Sequence, residues 1–260
     1  MNSINVMWGV IRYEFRMQIR RPALWLTYIC FALLIARTVV NQLDNLYLTS
    51  FHYSSLQLIA AVTLLTNWLT PLGIGIFLAD RLPRDQRIRV DELLTTLPGT
   101  LRMRLLGKYL GCTLASLVPA LLVQLMILGL AVWKLQNWMV LPIGLFCYAV
   151  IALPGMLFVA AFSLACPRWI WVPLYQFLFF GYWFWGNLFS PIYGLPTLSN
   201  TILTPMGSFI TAGLFRVSPM GWTKHVGLAE GLASLVALLG VAVLVNVALY
   251  YLIRLEQVRQ

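Results

Sequence analysis

Charge is what this sequence has least of. Only 10% of its 260 residues are Asp, Glu, Lys or Arg, against about 25% in a soluble globular protein, and 60% are hydrophobic. With a mean hydropathy of +0.82, an ordinary soluble domain is excluded. Titratable groups are scarcer still, with eight acids and two histidines. An enzyme or proton-coupled carrier working inside a bilayer needs such groups at depth. In the span layout derived below, His52, His225, Asp44 and Glu230 fall in outer segments, and Asp80, Asp85, Asp91 and Glu92 fall in one inner loop. There is no HExxH, no carboxylate pair within a span and no Ser/His pair at depth. We therefore assign no catalytic, cofactor-binding or metal residue. Cys30, Cys112, Cys147 and Cys166 are scattered through apolar runs without a CxxC spacing, and read as small apolar side chains. A phosphate-binding loop is missing too: Gly107-Lys108 is followed by Tyr109 and lacks the upstream Gly. The first apolar run lacks a small-x-small cleavage site and reads as a retained span. No internal repeat is visible.

What the sequence has in abundance is long apolar runs. About 20 residues suffice to cross a bilayer as a helix, and the runs predict an all-α membrane protein of six spans in a single domain, 1–260. The spans are Pro22–Val40, Ser55–Ala79, Tyr109–Trp133, Met139–Ala165, Trp169–Phe189 and Gly231–Ile253. Pro71, Gly73 and Gly75 in the second predict a kink. Pro119 lies in the third, Pro142 and Pro154 in the fourth, and the fifth is rich in aromatics. Trp133 and Trp138 flank a tight turn as interfacial anchors. Arg37 reads as snorkelling from the far end of the first span.

Residues 3–21, within an N-terminal segment 1–21, predict an interfacial helix. Ile4, Met7, Trp8, Ile11, Phe15 and Ile19 cluster on one face, and Arg12, Arg16 and Arg20 line a neighbouring strip. The segment 190–230 is too broken by Pro, Gly, Ser and Thr for a span, and predicts short helices or re-entrant pieces at the outer surface. A seventh span through Ile202–Val217 is disfavoured because it would reverse the C-terminus.

The net charge of +10 does not point to nucleic acid, because the bases sit at the ends of apolar runs. With the N-terminus inside, 14 bases are internal and 4 (Arg37, Lys134, Arg216, Lys224) external. That asymmetry predicts N- and C-termini in the cytoplasm.

Eleven of the 26 charged residues lie between Asp80 and Lys108. Pro83 suits a helix first turn. Val90, Leu93, Leu94 and Leu97 then fall at i, i+3, i+4 and i+7, one apolar stripe. Asp85–Arg89 is an acid-first i,i+4 pair, and Pro98-Gly99 stops the helix. This predicts a cytoplasmic loop carrying a short amphipathic docking helix, with Asp85, Arg89, Val90, Glu92, Leu93, Leu94, Leu97 and Pro98 as the partner-docking set. A basic loop obeying topology alone is the competing reading.

The run DELLTTLP, a short basic stretch and then LLGKYLG resembles the ABC type-2 exporter permease family. The matching positions are Glu92, Leu93, Leu94, Pro98, Gly107 and Lys108. Where that family often carries a Glu and a Gly-Thr upstream, this chain has Asp85 and Ile88-Arg89-Val90. The six-span layout matches over nearly the whole chain. The resemblance implies an elbow helix before the first span, a coupling helix in 80–108 and an outer helical hairpin in 190–230. It implies the permease subunit of an ATP-driven exporter of an amphiphilic or hydrophobic substrate, paired with a second permease chain. ATP and Mg would sit on a separate ATP-binding-cassette ATPase, in a bacterial inner (plasma) membrane. Alternatives are a gradient-driven secondary transporter or channel, a membrane enzyme, and an anchoring subunit. Asn67, Gln124, Gln176 and Asn187 are candidate pathway residues. For them and for Asn246 a hydrogen bond to a neighbouring helix or backbone is the favoured reading.

Overall fold

The computed structural model describes residues 3–49, 54–87, 100–189, 197–199, 201–218, 223 and 225–259. Every regular element among them is helical. The order is α1 (Ser3–Ile19), α2 (Pro22–Thr49), α3 (Ser55–Thr66), α4 (Thr70–Ala79), α5 (Arg81–Arg87), α6 (Leu101–Leu135), α7 (Val140–Cys147), α8 (Leu153–Ala165), α9 (Val172–Leu188), α10 (Ser208–Phe215) and α11 (Leu228–Arg259).

Among the described residues, five rods are long and apolar enough to cross a membrane: Pro22–Asn41, Ser55–Asp85, Leu101–Leu135, Val140–Arg168 and Leu228–Gln257. The sixth predicted span, Trp169–Phe189, corresponds to the 17-residue α9. It is about 26 Å long, at the lower edge of what a bilayer needs. The rods expose much apolar surface, for example Leu26, Ile29 and Leu33 on α2 and Val236, Val243 and Leu244 on α11. Water would not tolerate faces of that extent on a monomer. The chain is a multi-pass membrane protein.

The helix ends obey local chemistry. Ser54 caps α3: its Oγ accepts from the Gln57 N–H at 3.3 Å, and Gln57 Oε1 accepts from the Ser54 N–H at 3.0 Å, a capping box. The kink predicted at Pro71 is a full break over 67–69, with Pro71 in the first turn of α4. Proline cannot donate to the preceding turn. Trp183 Nε1 of α9 donates to the Trp68 carbonyl in the break at 2.9 Å. Pro154 follows a π-helical turn, Tyr148–Ala152, that joins α7 to α8. An extra residue in the turn accommodates the missing donor.

Two boundaries differ from expectation. α2 continues to Thr49, through much of the loop predicted at 41–54, because nothing between Asn41 and Thr49 breaks a helix. α6 begins at Leu101, eight residues before the predicted span, because charged side chains do not end a helix. Residues 201–217 enter the bundle as a buried piece ending in the eight-residue α10. That helix is far too short for a seventh span. At Gly155 an added Cβ would overlap the Pro205 carbonyl oxygen, and at Gly207 (φ 86°) it would lie 2.8 Å from the Ile151 carbonyl oxygen. Only glycine permits these approaches.

α1 does not lie free on a surface. Its Met7, Ile11, Glu14 and Gln18 side turns toward α6. There Gly107 and Gly111 form a G-x-x-x-G face, so the backbones meet closely. A Cβ at Gly111 would sit 2.7 Å from the Ile11 carbonyl oxygen, and one at Gly107 2.9 Å from the Val10 side chain. The predicted apolar face is thus rotated: Ile11 is buried, while Trp8 is 66% exposed.

Candidate functional site: a buried ionic cluster at the roots of the charged loop

Of the predicted docking set, Arg89, Val90, Glu92, Leu93, Leu94, Leu97 and Pro98 lie outside the described residues. Asp85 is described. Its carboxylate accepts from Lys108 Nζ, so the loop's first and last parts are bonded to each other. Arg89, its predicted partner, lies outside the described residues.

This ion pair belongs to a larger cluster. Glu14 from α1, Arg81 and Asp85 from α5, and Lys108 from α6 converge. Glu14, Arg81 and Lys108 are 5%, 1% and 6% exposed. The Glu14 carboxylate lies 3.9 Å from Arg81 Nη1 and 4.0 Å from Lys108 Nζ. Its hydrogen bond comes from the Cys112 thiol at 3.4 Å. Arg81 Nη2 donates to Gln18 Oε1, while Gln18 Nε2 donates to the Phe77 carbonyl of α4 at 3.5 Å. Arg81 Nε finds no hydrogen-bond partner among the described residues. Two acids and two bases balance, which a buried charge requires. Beside them Arg21 pairs with Asp80 at 3.9 Å. Burial, then Arg81 and Arg84, lower the Arg21 guanidinium from its ordinary value, and Asp80 opposes them.

Further contacts at this end tie in the other rods. Arg168 donates to Glu256 through Nε at 3.2 Å and through Nη2. The Arg102 guanidinium stands 4.8 Å over the Tyr250 ring. The starts of α2 and α6 and the ends of α4, α8 and α11 therefore share one face of the bundle.

The candidate pathway residues are brought together only in part, and each makes a bond between or within helices. Asn67 Nδ2 donates to the Met206 carbonyl at 2.8 Å, Gln124 Nε2 to Thr63 Oγ1 at 3.2 Å, Gln176 Nε2 to the Ile76 carbonyl at 3.0 Å, and Asn187 Nδ2 to the Trp183 carbonyl at 2.9 Å. Asn67, Gln124 and Asn187 are buried. None lines either of two apolar grooves. One, of about 310 Å³, lies at Trp133, Gln136 and Trp138; the other, of about 100 Å³, lies between Leu34, Leu65 and Phe184. No group of His, Cys, Asp and Glu that could hold a metal occurs among the described residues.

Glu14, Gln18 and Glu256 belong to no motif in the sequence, and Arg81 and Lys108 stand there only as topology charges and motif. The available signal was Gly107-x-x-x-Gly111 beside a helix that carries an acid between arginines. Comparison of the chain with models of known families and with characterised proteins gives no match.

Proposed function

We propose that this chain is the membrane-embedded permease subunit of an ATP-driven exporter, working as a pair of permease chains with a separate ATP-binding-cassette ATPase. The chain sits in a bacterial inner (plasma) membrane with both termini in the cytoplasm. In this reading it spans the bilayer six times, α9 included, and carries no catalytic group of its own. ATP and Mg bind the partner.

One observation carries the reading. Both roots of the charged loop, Arg81/Asp85 and Lys108, are locked to α1 through Glu14. A force applied to 88–99 therefore reaches α4, α6 and α1 together. That is what a coupling element needs: one bistable assembly biased from two sites. Closure of the ATPase pair pushes the loop, and the rods rearrange to open an outward path for an amphiphile.

The test is a mild-detergent pull-down of the tagged chain from its own membranes, beside Leu93→Asp/Leu94→Asp. Co-purification of a P-loop ATPase by the wild type and its loss in the double variant, with insertion unchanged, is the expected result. A chain that comes down alone in both cases sinks the reading.

A second reading has its own support. The helix break at 67–69, the π turn and the Gly207 turn meet at Asn67–Met206 and Gly207–Ile151. Gradient-driven carriers place their sites at interrupted helices. Flux that follows an ion gradient and survives ATP depletion would favour it.

A further inference from the structure

The outward side of α1 is unlike the side that meets α6. Its exposed positions are Asn5, Trp8, Gly9, Arg12, Tyr13 and Arg16, with Arg20 just past its end. They form one stripe at i, i+3, i+4, i+7 spacing. Trp8 and Tyr13 are each 66% exposed. The three arginines follow one another at four-residue steps, about 6 Å apart along the axis. That is shorter than the Debye length of about 8 Å at physiological salt, so they act as one positive field. Among the described residues no acid pairs with Arg12, Arg16 or Arg20, whereas the helix's own acid, Glu14, is buried on the opposite side.

Two features fix what covers this stripe. Only Arg20 and Arg21 separate α1 from Pro22, where α2 starts, and α2 shows bare apolar side chains (Leu26, Ile29, Leu33) within about three turns of that point. The stripe therefore sits at the level where hydrocarbon gives way to headgroups. Its composition is that of this layer, because amphipathic aromatics and Arg with an apolar stem both favour it. A neutral headgroup layer would leave the arginines without a counter-charge. An anionic one supplies it.

We propose that the Trp8/Arg12/Tyr13/Arg16/Arg20 face of α1 binds the headgroups of anionic phospholipids and holds α1 down against the bilayer. Its other face holds the loop roots through Glu14, so membrane charge sets the resting position of the coupling cluster. The lipid-binding part rests on the multi-pass membrane architecture alone and not on the exporter reading.

The test uses the full chain reconstituted in phosphatidylcholine vesicles. Spin-labelled phosphatidylglycerol is compared with spin-labelled phosphatidylcholine for the fraction held at the protein surface. Wild type is expected to prefer the anionic lipid several-fold, with the preference falling as salt is raised. Arg12→Gln/Arg16→Gln/Arg20→Gln should bring the ratio close to one, and Arg12→Lys/Arg16→Lys/Arg20→Lys should keep most of it. All three positions are exposed, so thermal stability in detergent should be unchanged in both. No preference in the wild type overturns the proposal. So does a preference that survives the Gln variant, which would place the lipid on other bases of that end, or one that the Lys variant loses. Failure of the ATPase pull-down leaves every one of these outcomes intact.

Discussion

If Glu14 fastens α1 to the loop roots, removing its charge should loosen α1 without unfolding the bundle. Glu14→Gln keeps the shape, takes the carboxylate away from Arg81 and leaves Lys108 with Asp85 alone. A unit charge pair near 4 Å is worth about 4 kcal/mol at an effective dielectric of about 20. Removing one member of a buried pair costs about 3–5 kcal/mol. The low end applies here, because both cations stand at 3.9–4.0 Å from the carboxylate, beyond hydrogen-bond length. A cost of about 3 kcal/mol raises the population with α1 displaced by roughly 150-fold, since about 1.4 kcal/mol is tenfold. Cys112 reports that population directly. It is 0% exposed beneath α1 and bonded to Glu14. With Cys30, Cys147 and Cys166 changed to Ala, the maleimide labelling rate of Cys112 in folded protein tracks the open fraction, provided reclosing is fast. Glu14→Gln should raise that rate by about two decades. Rates in denaturant should not differ. Gly111→Leu is the control: it wedges α1 against the Ile11 carbonyl at 2.7 Å and changes no charge. If Gly111→Leu accelerates labelling at least tenfold and Glu14→Gln by less than about threefold, packing holds α1 and the ionic account is wrong.

Other perturbations follow from the same contacts. Gly155→Ala should displace the 201–217 segment, because its new methyl meets the Pro205 carbonyl. Overpacking of this kind costs about 1–3 kcal/mol, read as a lower melting temperature in detergent. Gly129→Ala has nothing within 4 Å and should leave melting unchanged. Asn67→Leu should destabilise by about 1–3 kcal/mol, because it leaves the buried Met206 carbonyl unpaired. If Asn67 is structural, substrate selectivity stays as in wild type. A changed selectivity with unchanged melting would return it to the pathway.

The apolar runs carried the rods because a bilayer leaves few alternatives: each run must bury or expose its side chains to lipid and satisfy its own backbone. The break near Pro71 was legible for the same local reason, although the exact turns, 67–69, depend on Trp183 reaching the Trp68 carbonyl from a helix 115 residues away. Helix ends were less legible. Apolarity ends where charge begins, but α6 runs on through Arg102, Arg104 and Lys108. The face of α1 was misassigned because periodicity finds a stripe but not its destination. Trp8 and Phe15 fit the apolar face as well as Met7 and Ile11 do. What decides between them is the glycine pair of α6, which admits the side bearing Glu14 and Gln18. The docking stripe Val90–Leu97 lies outside the described residues and stands on periodicity alone.

The burial of this cluster needs a reason, since ions are a poor way to gain stability. Apolar side chains of similar volume often hold a core as well or better. What apolar packing does not provide is mutual dependence. Glu14, Arg81 and Lys108 come from three elements, and Asp85 closes the set to neutrality. If α1 or the start of α6 moves off by itself, the remaining set keeps a charge buried without its counter-charge, whereas α5 carries one charge of each sign, Arg81 and Asp85. The cheapest displacement is therefore of α1 and the start of α6 together. Under the proposed exporter reading, the element that passes a push from the loop to α4, α6 and α1 benefits from that all-or-none character. A greasy contact, which can slide in small steps, would dissipate it.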